Sequence, residues 1–157
     1  MKIIDVENID EAVSATNNVL DEIFHQKVVN SIVFTGGRFG ESIVSSFNPK
    51  YITKNIQIFQ TDERFVGYHD EACIQTKLER SLFDSGINLE SDQLNFFRLE
   101  TTYSESIHSM KDLLDQKQIE VFDIVFLSLG EDGHLAGDFN TSDICIDNQI
   151  CFTKNAN

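Results

Sequence analysis

At 157 residues, with 41% hydrophobic and 24% charged residues, the chain is long enough to bury one proper core, and its composition excludes a disordered or low-complexity protein. Its 12 Lys and Arg against 26 Asp and Glu give a formal net charge of −14 and argue against nucleic acid as a partner, because a phosphate backbone needs a dense basic face. No stretch has the length and apolarity of a membrane span, and Met1-Lys2-Ile3-Ile4-Asp5 lacks the pattern of a signal peptide, so one soluble, cytoplasmic domain over 1–157 is expected.

Lys2 to Val6 alternates as a short first strand. Asn8, with Glu11 three residues on, predicts a helix start of the capping-box kind, and Ile9, Ala12, Val13, Thr16, Val19, Leu20, Ile23 and Phe24 keep the 3.6-residue period to about His25. Val28 to Phe34 reads as the second strand and runs into Thr35-Gly36-Gly37-Arg38. A short helix, Glu41 to Phe47, follows, and Asn48-Pro49 ends it. Asn55 to Gln60 is the third strand, with Thr61-Asp62-Glu63-Arg64 at its end. A helix from about Glu71 to Phe83 carries Ile74, Leu78 and Leu82 on one face and stops at Asp84-Ser85-Gly86.

Leu94 to Leu99 is the fourth strand, and the helix after it spans about Ser104 to Gln118 with Ile107, Met110, Leu113 and Leu114 inward. The apolar run Ile124 to Leu129 predicts a fifth strand buried on both faces, which halts at Gly130-Glu131-Asp132-Gly133-His134. One more strand is expected around Gln149 to Thr153. His25, His69 and His108 have no partner at ligand spacing and read as surface residues. Cys73, Cys145 and Cys151 show no C-x-x-C spacing and read as buried thiols rather than disulfides or metal ligands.

Strands alternating with amphipathic helices, without a repeat or linker, call for the α/β class: a Rossmann-like, mostly parallel sheet with helices on both faces. Each of the loops at 35–38, 61–64 and 130–134 follows a strand, so all are expected to open on one edge of the sheet. Each alone bears two readings. Gly36-Gly37 is an ordinary turn, or it brings backbone N–H groups to an anion at a helix start. Asp62-Glu63-Arg64 is a solvated loop, or a site where Arg64 clamps a phosphate or carboxylate. Gly133-His134 is a loop with a candidate base.

Taken in order, these loops resemble the family of 6-phosphogluconolactonases and glucosamine-6-phosphate isomerases/deaminases. Phe122 to His134 is similar to the lactonase motif F-D-L-x-L-L-G-x-G-x-D-G-H, Asp62-Glu63-Arg64 with Val66 to D-E-R-x-V-P, and Thr35-Gly36-Gly37-Arg38 to S-G-G-[ST/R]. Arg64 and Glu131, where the deaminases have Tyr and Asn, and Phe139, where they carry a relay Glu, place the chain nearer the lactonases; Val66-Gly67 resembles the deaminases. The resemblance implies hydrolysis of 6-phosphogluconolactone in the pentose phosphate pathway. His134 would be the water-activating base and Asp132 its partner, while Gly36, Gly37, Gly133, Arg38 and Arg64 would meet the phosphate or oxyanion. Imidazole titrates near neutral pH, which suits such a base. No metal or cofactor is required.

Two alternatives stand beside it: a glucosamine-6-phosphate isomerase/deaminase in which Asp62 abstracts a proton, and a phosphosugar-binding relative without turnover. The second of these is motivated by departures near the site. Phe39 and Gly40 stand where the family has a hydroxyl and a proline, Gly67 replaces a proline, Cys73-Ile74 replaces Ser-Asn, and Gly137-Asp138-Phe139-Asn140 replaces S-L-F-P. Family members also continue past the equivalent of Asn157, so the resemblance implies that a C-terminal portion bearing basic residues is missing.

Overall fold

In the computed structural model, residues 2–131, 133–137, 143–147 and 150–153 are described. The helix α1, Ile9–Gln26, is capped as its sequence predicts: the Asn8 side chain accepts from the Glu11 amide at 3.0 Å, and the Glu11 carboxylate accepts from the Asn8 side chain. Its exposed positions, Glu11, Ser14, Asn18, Glu22 and His25, fall at helical spacing opposite the buried stripe. There follow β1 (Ser31–Phe34), α2 (Gly37–Ser46), a single turn at Pro49–Tyr51, β2 (Gln57–Gln60), α3 (Ile74–Asp84), β3 (Leu94–Asn95), α4 (Tyr103–Gln116) and β4 (Ile124–Val125). A separate antiparallel hairpin, β5 (Asp143–Asp147) and β6 (Ile150–Thr153), pairs Cys145 opposite Cys151 in its register.

The main sheet has the order β3-β2-β1-β4 and every pairing in it is parallel. β1 is central, with Ile32 opposite Ile58 on one side and Ile124 on the other. The pleat sends alternate residues to opposite faces. Ile32, Phe34, Ile58, Ile124 and Phe126 meet Leu20, Ile43, Val44, Leu78 and Leu82 from the helices α1, α2 and α3. Val33 and Phe59 point the other way and meet Met110, Leu113 and Leu114 of α4. Helices therefore cover both faces, and the α/β reading is correct.

Some expectations fail. Lys2 to Val6 is not a strand: the segment pairs with no strand of the sheet and is exposed, with Ile3 at 73%. The β4 run is not buried on both faces. Ile124 and Phe126 are buried, while Val125, Leu127 and Leu129 are 44%, 51% and 73% exposed. β4 lies at the sheet edge, and α4 sits over Val33 and Phe59 rather than over it. The strand at 94–99 shortens to Leu94–Asn95, and the final strand matches β6.

Helix stops match their chemistry. Gly86 adopts φ +72, and the Ile87 and Gly86 amides return to the Leu82 and Phe83 carbonyls at 3.0 Å each, closing α3. Gln118, at φ 54, does the same job for α4. Among the described residues no helix is long and apolar enough to cross a membrane. His25, His69 and His108 are exposed, and Cys73 is buried and free.

Asp123 clamps the amino ends of β1 and β4 together. Its carboxylate accepts from the Asn30 and Ser31 amides at 2.8 and 3.2 Å and from Lys27 Nζ at 3.1 Å. Burial by itself would push this carboxyl up, but the Asn30 amide, the Lys27 ammonium and the Ser31 amide bring it below its ordinary 3.8. A folded value below the unfolded one means that the clamp contributes fully above the unfolded pKa and is lost as pH falls through the folded value. Asp123→Asn is expected to lower stability at neutral pH by about 1–3 kcal/mol in urea unfolding, and to flatten the loss of stability that wild type shows below pH 3.8.

Candidate functional site

Parallel pairing puts the residues following β1, β2 and β4 at one edge of the sheet. The first loop is very short. Thr35 is buried, Gly36 is the N-cap, and α2 begins at Gly37, earlier than the predicted Glu41. Gly37 has φ +74, a region that costs other L-residues roughly 1–2 kcal/mol. Among the described residues no side chain caps this helix start, and no acidic residue lies in its first turn, so the positive end of its dipole and its orphan N–H groups are left to other acceptors. Arg38 is exposed beside them. Gly40 is needed for packing: a Cβ there would lie 1.8 Å from the Thr35 carbonyl oxygen. Phe39 packs partly buried against the main core.

The second loop leaves β2 at Gln60, and the Thr61 amide still donates to the Phe34 carbonyl at 2.9 Å. Asp62 is half-buried and accepts from the Thr61 hydroxyl at 2.6 Å. Arg64 is half-buried as well. Glu63, part of the Asp62-Glu63-Arg64 motif but given no role by it, accepts from the Arg64, Ile74 and Gln75 amides at 2.7, 2.7 and 2.8 Å and from Gln60 Nε2 at 3.0 Å. Beyond it, the Phe65 ring stands edge-on to Tyr103, the first residue of α4, at 4.4 Å. Tyr68 donates to the Glu79 carboxylate, and that bond, with burial and the adjacent charge, pushes the phenol up to about 12.

The third loop is a tight hairpin. Leu129 and Leu135 form an antiparallel bridge, the Gly130 amide donates to the His134 carbonyl at 2.8 Å, and the Ala136 amide donates to the Ser128 carbonyl at 3.0 Å. Gly133 sits at φ +88 with its N–H donated to the Gly130 carbonyl at 3.0 Å. It thus shapes the turn, and its N–H is already engaged rather than offered to an oxyanion. His134 follows it, half-buried. Asp132 lies outside the described residues.

The loops are interlocked. A Cβ on Gly36 would lie 2.9 Å from Cδ1 of Ile74, so the first loop rests directly on the start of α3. A Cβ on Gly137 would lie 2.9 Å from Cβ of Asp62, so the turn after His134 passes against the second loop. Thr35 and Ser128 share a hydroxyl hydrogen bond at 3.0 Å between the first and third. A cleft of about 510 Å³ opens beside this region, lined by Tyr68, Gln75, Arg98 and Glu105; its lining does not include His134 or Asp62. Among the described residues, no group of three or more His, Cys, Asp and Glu is placed to hold a metal.

The family described as glucosamine-6-phosphate isomerases/6-phosphogluconolactonase matches residues 5–155. The chain belongs to this family. Solved lactonases share its fold. The 6-phosphogluconolactonase of Thermotoga maritima superposes with a TM-score of 0.72 at 18% identity, over 89% of this chain and 65% of that one. The Trypanosoma cruzi 6-phosphogluconolactonase gives 0.71 at 20%, over 87% and 61%, and that of Trypanosoma brucei 0.68 at 19%, over 88% and 64%. The chain thus spans less than two thirds of the length of these relatives. No curated protein sequence matches it.

Within this family fold, the close fit of α2 against the end of β1 depends on Gly40. Gly40→Ala is expected to cost at least about 1–3 kcal/mol, read as a lowered melting temperature, because the added methyl meets backbone rather than a movable side chain.

Proposed function

We propose that the chain hydrolyses 6-phosphogluconolactone to 6-phosphogluconate with His134 as general base. The observation that carries this reading is the common placement, on one edge of a lactonase-like sheet, of the uncapped start of α2 and the hairpin bearing His134. The substrate phosphate would lie at the Gly36-Gly37 N–H groups, helped by Arg38 and Arg64. These few local cations offset the repulsion of a surface whose net charge is −14. The lactone carbonyl would then lie toward the third loop.

His134 takes a proton from water as the oxygen adds to the carbonyl carbon. The tetrahedral oxyanion collapses by breaking the ring C–O bond, and the imidazolium returns its proton to the leaving ring oxygen, which becomes the sugar hydroxyl. Asp132 is assigned to orient the imidazole. Asp62, held by Thr61 and lying against Gly137, is assigned to the substrate's polar groups near the reacting carbon.

Lactone loss should exceed its spontaneous rate in the presence of the protein, and His134→Ala should remove that gain by a factor of about 10²–10⁴. Full activity in the His134→Ala protein defeats the mechanism. Ammonia release from glucosamine 6-phosphate would move the chain to the isomerase/deaminase half of its family, and calorimetric binding of 6-phosphogluconate without turnover would make it a binding protein.

A further inference from the structure

We infer that Glu63 is the positioning residue of this site, coupling the loop that carries Asp62 and Arg64 to the loop that carries Gly36 and Gly37; its kinetic consequences rest on the reading above. The carboxylate accepts from the Arg64, Ile74 and Gln75 amides and from Gln60 Nε2, with Cys73 Sγ 3.9 Å from Oε2. Two of those amides belong to the first turn of α3, whose N-cap residue Cys73 makes no side-chain cap of its own. Glu63 therefore caps α3 from a different segment of chain, and does so while holding the amide of the neighbouring Arg64.

The effect reaches the first loop through Ile74. Its amide is held by Glu63 at 2.7 Å, and its side chain packs where Gly36 has no Cβ, with Cδ1 2.9 Å from the position a Cβ would take. Moving Glu63 would thus move the backbone root of Arg64 and the bed under Gly36 together. The same arrangement separates the two helix starts by charge: that of α3 is occupied by a protein carboxylate, while that of α2 has none among the described residues, which directs a ligand anion to α2. Gln60 turns its amide nitrogen to Glu63 and leaves its buried Oε1 without a partner among the described residues, an unfavourable arrangement kept in favour of the carboxylate.

A glutamine cannot replace it. The carboxylate offers acceptors on both oxygens to four N–H groups, whereas an amide turns one end into a donor facing donors. A merely structural cap would behave like Asn8, whose loss weakens α1 far from the site.

The test compares Glu63→Gln, Glu63→Asp and Asn8→Ala by thermal unfolding, amide hydrogen exchange, lactone hydrolysis and calorimetric titration with 6-phosphogluconate. Glu63→Gln should weaken 6-phosphogluconate binding and raise KM by about tenfold or more. It should also speed exchange at Arg64, Ile74 and Gln75, and at Gly36 and Gly37, which Glu63 does not touch. Glu63→Asp should recover part of each loss. Asn8→Ala should lower the melting temperature while leaving binding and those amides unchanged. Wild-type binding retained by Glu63→Gln, or binding lost equally in Asn8→Ala, overturns the inference. Should wild type neither bind nor hydrolyse, the functional reading fails, and exchange at Gly36 and Gly37 alone decides the coupling: unchanged rates there overturn it.

Discussion

The structure depends on the parallel pairing of β1 with β2 on one side and β4 on the other. Parallel strands need long crossovers, and these crossovers are the helices that bury both faces of the sheet. The same pairing brings the carboxyl ends of the strands to one edge, so residues distant in sequence become neighbours without any of them being selected for contact. Asp123 sets the register from the opposite end, where its carboxylate joins the amides that precede and open β1. Short strands suffice here because the pleat alternates cleanly: Ile32 and Phe34 go to the large core, Val33 to the small one.

What was legible in the sequence is what depends on neighbours a few residues away. Asn8 with Glu11 marks a helix start through bonds within one turn, and Gly86 marks a stop through its own backbone freedom. The order of elements and the positions of the loops follow from such signals. Where a residue's fate depends on which segment lies across from it, local pattern misleads. Lys2 to Val6 alternates like a strand but pairs with none, and Val125 and Leu127 look like core yet lie where no described helix covers them. α2 starts at Gly37 rather than Glu41: Gly37, at φ +74, makes the sharp exit from β1, and the missing Cβ of Gly40 lets the first turn close against Thr35.

The site divides the same way. Gly36, Gly37, Arg38, Asp62, Arg64 and His134 were visible as chemically suited residues at strand ends. The contacts that hold their loops in relation were not visible, because Gly36 with Ile74, Gly137 with Asp62, and Thr35 with Ser128 are pairings across the chain. Replacements that look damaging in a motif also read differently in place. Phe39 joins the core, and Cys73 leaves a cap that Glu63 supplies instead. Sequence motifs record residue types, whereas the interlock is made of absences such as a missing Cβ and of one carboxylate's reach.

The edge position of β4 has a colloidal consequence. Val125 at the end of β4 and Leu127 and Leu129 just beyond it are exposed apolar residues at the sheet edge, with Leu135 bridged to Leu129 at 48% exposure, and such edges invite pairing with other chains. Long-range charge repulsion opposes that encounter, and here it is supplied by a net charge of −14. Acidification toward the pI near 4.4, or enough salt to screen the surface, removes the repulsion and leaves the apolar edge in place. The same acidity that sets the sign of the surface field therefore also opposes edge-to-edge encounter of like chains.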